Sequence, residues 1–238
     1  MTAITRVFSI LAISGLSSCS FDFTDVERDT PATLMVTLVA NDKADSLSLN
    51  ASIHPGRDAT GKSRSVTSDL AVFGQPITSV RTGPSNIRTY QAQWRLSARF
   101  ADTTSLSFIA PDIEDLPGGP HTFKVSPPRR IGSDTLSVTA GEAVVLPIVR
   151  SDLPNGATTF WRLELFDSVG TRRVSILTQG EMPEQFMIPR SWFPSTAPAT
   201  YGVLLDTNQR FSTNFVHDNY KFTILLHSQL NWTVKLQP

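Results

Sequence analysis

From Pro31 onward the chain is a succession of short stretches in which apolar and polar residues alternate or a few apolar residues run together. Each is closed by turn formers. Residues 33–40 (TLMVTLVA) and 46–54 (SLSLNASIH) flank the polar NDKAD, and 69–74 and 76–80 flank Gly74-Gln75-Pro76. Residues 90–100 place Trp94, Leu96 and Ala98 on one face and Arg95, Ser97 and Arg99 on the other, and 105–110 and 121–125 complete a first group. A second group follows at 135–140, 143–149, 158–167, 171–178, 185–189 and 200–206, with RSWF (190–193) as a single helical turn. Residues 219–227 and 229–237, joined through Ser228, read as an antiparallel hairpin. A period of two over short, turn-bounded runs predicts strands. No amphipathic helix of useful length lies between them, so a doubly wound α/β fold is not expected.

Within 158–167, Trp161, Leu163 and Leu165 alternate with Arg162 and Glu164. Near the end Trp232, Val234 and Leu236 alternate with Thr233, Lys235 and Gln237. Side chains alternate across a strand, so both apolar sets are expected to line one core. Trp161 should sit near its centre, with Glu164 at a plain surface position.

Ahead of the strands lies a different pattern. Met1–Arg6 carries one cation, Val7–Leu16 is apolar, and Leu16-Ser17-Ser18-Cys19 follows. The apolar run is half the length a spanning helix needs. The stretch resembles the lipobox of bacterial lipoproteins. That resemblance implies a signal peptide over 1–18, a diacylglycerol and palmitate on Cys19, and a lipidated tether over 19–30. Ser20 in place of aspartate implies the outer membrane. Several acyl chains anchor stably where one does not. Membrane contact is thus expected through Cys19 alone, and Cys19 is the only cysteine in the chain.

Composition narrows the rest. Basic and acidic residues balance at 21 each, and loss of 1–18 removes Arg6 and no acid. That argues against a nucleic-acid binder, which needs a basic excess or stripe. With 16 prolines the chain turns often. The segment 126–133, with Pro127, Pro128, Arg129 and Arg130, reads as a solvated linker between a first β-sandwich domain at 31–125 and a second at 134–238. The strand spacing is the sandwich pattern. The two groups, with FGQPIT and TLSVTAGEAVVLPIV, resemble tandem immunoglobulin-like domains of bacterial surface lipoproteins in style. The disulfide of antibody-type domains is absent.

One sharp motif is present. Gly56-Arg57-Asp58-Ala59-Thr60-Gly61-Lys62-Ser63 matches the phosphate-cradling G-x-x-x-x-G-K-[ST]. Its context is wrong, because the polar stretch from Arg64 to Asp69 does not open a helix. An ordinary loop is expected there. His54, His121, His217 and His227 form no metal-ligand spacing, and no G-x-S-x-G occurs. Glu114 and Asp115 sit beside a Pro-Gly-Gly-Pro loop, and Trp161 and Trp232 read as core before they read as a sugar platform. No catalytic residue, cofactor-binding residue, cofactor or metal ligand is therefore expected. The expected protein is a non-enzymatic, lipid-anchored module of the bacterial envelope with an unknown protein or glycan partner. The rival reading is a carbohydrate-binding or hydrolytic envelope enzyme.

Overall fold

The computed structural model describes residues 29–82, 86–97, 105–150, 154–183, 185–193, 198–214 and 219–238. Cys19, the signal peptide, most of the tether and His217 lie outside them. The protein is all-β, with mixed and antiparallel sheets in a sandwich-like arrangement. Its strands are β1 (Ala32–Asn41), β2 (Ser46–His54), β3 (Leu70–Val72), β4 (Gln75–Ile77), β5 (Ser79–Thr82), β6 (Arg88–Arg95), β7 (Ser105–Ala110), β8 (Gly119–Lys124) and β9 (Arg129–Arg130). They continue as β10 (Thr135–Thr139), β11 (Val144–Leu146), β12 (Ile148–Val149), β13 (Thr158–Phe166), β14 (Arg172–Gln179), β15 (Phe186–Ile188), β16 (Ala199–Asn214) and β17 (Tyr220–Gln237). A 3-10 turn at Arg190–Trp192 stands where one helical turn was expected.

Nine strands form one sheet in the order β14-β13-β16-β17-β1-β2-β6-β5, with β10 added beside β17. Its backbone is the pair β16 and β17, antiparallel from Ala199↔Leu236 to Asn214↔Lys221. The hairpin expected at Ser228 does not form. β17 passes straight through that residue, and every even position from Tyr220 to Leu236 is buried. The reason is the alternation itself. It keeps its phase across Ser228, whereas a hairpin needs about two turn residues and would break it. The polar run after Asp206, TNQRFSTN, is likewise strand, because β17 lies alongside to pair with it.

Among the described residues the buried apolar side chains fall into two clusters. The first joins β1, β2, β3, β6 and β7 to Tyr220, Phe222, Ile224 and Leu226, and the second joins β11, β13, β15 and β16 to Leu230, Trp232, Val234 and Leu236. Both cores thus lie on one face of β17, and the first is not built from 31–125 alone. A small sheet, β4-β3-β7-β8, covers the lower cluster. There Phe108 and Phe123 meet Phe222 at ring separations of 4.6 Å and 5.4 Å. The pairs β11-β15 and β9-β12 lie over the upper region, where Phe186 meets the edge of Trp161 at 4.9 Å. Between the clusters the face turns polar, with Thr207 and Ser228 side by side across the two long strands and wholly buried.

The segment 126–133 is solvated only over Ile131 to Ser133. Val125 to Pro128 are buried, and Arg129 and Arg130 pair with Val149 and Ile148. Two prolines with no N–H to satisfy suit burial. In β13, Leu163 and Leu165 line the second core with Trp232, Val234 and Leu236, as the alternation predicts. Trp161 sits at the margin of the second core and is only half-buried, packed edge-on with Phe186.

Continuity of the two long strands should couple the two cores. Leu226→Ala, in the lower core, is expected to cost about 2–5 kcal/mol. Hydrogen exchange followed by mass spectrometry should show the loss of protection in Val203–Leu205 as well as beside Leu226. Loosening confined to the lower half would refute the coupling.

Candidate functional site

The sheet changes partner along one edge of β17. β1 runs parallel to it from Ala32↔Tyr220 to Asn41↔Gln229, and β10 takes over from Thr135↔Thr233 to Thr139↔Gln237. Between them the edge at Leu230–Trp232 has no strand beside it. The Asp42 N–H still reaches the Gln229 carbonyl at 3.2 Å, and the Thr233 N–H reaches the Asp134 carbonyl at 2.7 Å. Into the gap comes Arg130. Its Nη1 donates to the Asn231 carbonyl at 3.0 Å, and its Nη2 meets Asp42 Oδ2 at 2.9 Å. One guanidinium, planar and forked, stands in for the missing rung of strand.

This notch encloses about 440 Å³ and is lined by Asp42, Lys43, Arg130, Asp134, Trp232 and Thr233, among others. Burial pushes the Asp42 carboxyl up from its ordinary 3.8, Arg130 opposes that, and Asp134 and Asp45 add to it. Asp45 goes the other way. It is held below 3.8 because the Ser97 N–H and hydroxyl both donate to it, each at 2.8 Å. The notch balances two acids against two bases. Arg130 is committed to the frame, so the arrangement clamps backbone and supplies no paired nucleophile and base. Among the described residues no group of three or more His, Cys, Asp and Glu could hold a metal ion.

A second polar constellation lies on the opposite sheet face from the cores. Asp206, on β16, accepts from Arg162 Nη2 at 2.8 Å and pairs closely with His227 Nε2. Glu164 accepts from Arg172 Nη1 at 3.0 Å and from Ser175 Oγ at 3.4 Å. The network crosses four strands, β17, β16, β13 and β14, and Asp206 and Glu164 are both buried. Glu164 is therefore no plain surface position. The sequence carried a hint in Arg162 and Glu164, two apart on one strand face. Their partners Asp206 and His227 come from distant strands, so only the register brings them together. His227 makes no further hydrogen bond among the described residues, which leaves a carboxylate and imidazole without a nucleophile.

Of the residues singled out in the sequence, Gly56–Ser63 is an ordinary loop built around Asp58. That carboxylate accepts from the N–H of Thr60 at 2.8 Å, the N–H of Lys62 at 3.0 Å and the Thr60 hydroxyl at 2.6 Å. Amides that would wrap a phosphate are thus turned on an internal anion, and no helix follows. Arg64, just beyond, is buried. It reaches the Thr30 carbonyl at 3.0 Å and Asp29 at 2.8 Å, tying down the entry to β1. His121, on β8 of the small sheet, lies over Phe123 and meets the Gly118 carbonyl at 2.8 Å, while His227 is on β17 of the large sheet.

No family model matches the chain, and no curated protein matches it. Two solved structures are similar at 11% identity. The adhesin InvE of Yersinia pseudotuberculosis gives a TM-score of 0.26, with 89% of this chain and 61% of that one covered. Dimeric latent PorU from Porphyromonas gingivalis gives 0.28, with 88% and 20% covered. The chain spans less than two thirds of either.

Two outcomes are expected. Glu164→Ala should cost about 1–2 kcal/mol, because it strips two half-exposed arginines of a buried acceptor. A cost under about 0.5 kcal/mol, the surface value, in a urea titration would refute the network. The Asp42 carboxyl should titrate above 3.8 in the folded protein. A carboxyl that binds its proton more tightly when folded adds stability below its unfolded pKa, and that share is lost as pH rises through the folded one. Carboxyl NMR across the acid range reads the midpoint, and a value at or below 3.8 would overturn it.

Proposed function

We propose that this chain is a lipid-anchored, non-enzymatic structural or interaction module of a bacterial cell envelope, built as two immunoglobulin-like sandwich units that share the long strand β17. The observation that carries the reading is Leu16-Ser17-Ser18-Cys19 directly after the apolar Val7–Leu16. A short apolar run ending in small residues and a cysteine is a processing site, and acylation of that cysteine gives a stable hold on a bilayer. Ser20 favours the outer membrane. The partner is a protein or glycan of the envelope.

The form of the body supports a mechanical role over a chemical one. Its polar constellations serve the frame: Arg130 closes the sheet gap, Arg64 fixes the entry of β1, and Arg162 and Arg172 hold two buried carboxylates. The entry at Thr30 lies at the Tyr220 end of β17, since the Ala32 N–H bonds the Asn219 carbonyl. A tether from Cys19 therefore leaves the second core at the far end of the long strand.

The wild-type protein should incorporate labelled palmitate and sediment with membranes, and Cys19→Ala should abolish both. A soluble, unlabelled wild type would sink the reading.

A further inference from the structure

A sheet that ends in a regular strand offers its free backbone groups to any other strand, and proteins defend such edges with lysine, proline, bulges or brevity. Most free edges here are defended. β4 has three residues and a proline, β5 has four residues and an irregular register, and β8 carries Pro120 and Lys124. β14 differs. It closes one end of the nine-stranded sheet and runs eight residues, RRVSILTQ. The register shift beside Leu165 and Phe166 falls at its arginine end. Beyond it Val174 to Gln179 is regular, uncharged and free of proline, with Ile176 41% and Leu177 70% exposed. Such a segment is a template for pairing.

We propose that β14 is a self-association edge, on which the β14 of a second copy pairs antiparallel about a two-fold axis through Ile176. An isologous contact of this kind closes as a dimer. Charge selects the second copy as occupant. Parallel pairing would set the two arginine pairs side by side. Antiparallel pairing about Ile176 sets Val174 against the second copy's Thr178, and Ser175 against its Leu177. It also brings Arg172 and Arg173 of each copy alongside Gln179 to Glu181 of the other. Glu181 is 87% exposed, and both arginines are more than half exposed. Of the registers that keep like faces together, those centred on Ser175 and Ile176 each pair seven residues of β14, and the second leaves Arg172, at the register shift, outside the ladder. The two large sheets become one, and both pairs of cores stay on the same side.

The register gives a sharp test, independent of lipidation. Residues facing each other across an antiparallel ladder have Cα atoms about 4.5–5.5 Å apart, within disulfide range. In the full chain expressed in bacteria, Ile176→Cys should form a disulfide dimer on oxidation, seen on non-reducing gels. Leu177→Cys should not, because it faces the second copy's Ser175 and lies about 7–8 Å from its own mate. Wild type, whose one cysteine is Cys19, is the blank. Two differently tagged copies should co-purify. Ile176→Lys should reduce that at least tenfold, while Met187→Lys, on the covering layer, leaves it unchanged. Failure of wild-type copies to co-purify, equal loss with both lysine variants, or crosslinking at Leu177 in place of Ile176 would overturn the proposal.

Discussion

The pairing of β16 with β17 is the constraint on which the rest of the structure depends. Eighteen residues of β17 hold a single alternation, and that alternation puts nine consecutive inward positions on one sheet face. Each core needs half of them. The lower core takes Tyr220 to Leu226 and the upper takes Leu230 to Trp232 and beyond, so neither can complete itself without the shared strand. Burial of apolar area drives both halves. What makes them one object is that the same backbone hydrogen bonds run through both.

A strand that serves two cores must change neighbours part-way, and the change leaves backbone polar groups to satisfy. The protein resolves this with an arginine where sheet geometry has none to offer. Arg130 belongs to the crossing segment, so the connection between the halves also seals the place where they meet. The inward face makes the matching adjustment. Thr207 and Ser228 interrupt the apolar ladder at the same height, both buried.

Much of this could be read in advance. Alternation marks nearly every strand, and Leu163, Leu165, Trp232 and Val234 fall in one core as their spacing demands. What the sequence hid had physical causes. Ser228 looked like punctuation, although Tyr220, Phe222, Ile224, Leu226, Leu230, Trp232, Val234 and Leu236 keep one phase around it. The residues after Asp206 are too polar to announce a strand, and their long partner made them one. Pro127-Pro128-Arg129-Arg130 looked wet because prolines and arginines usually are, yet here proline asks for no hydrogen bond and arginine supplies two. The glycine-rich match at 56–63 shows the reverse: right letters at right spacing, closed on Asp58. Neither the notch nor the Asp206 network was legible, since each joins residues far apart in sequence through a register that only the folded sheet defines.

The parallel course of β1 beside β17 has a mechanical consequence. The chain enters β1 at Thr30 and the upper half of β17 extends from the opposite end, so a pull between these points runs along both strands. Their cross-links are then strained together in shear, from Ala32↔Tyr220 to Asn41↔Gln229, and cannot open one at a time like a zip. At about 3.3 Å per residue, β17 forms a strut of about 60 Å. Such a body yields late under tension applied between its two ends.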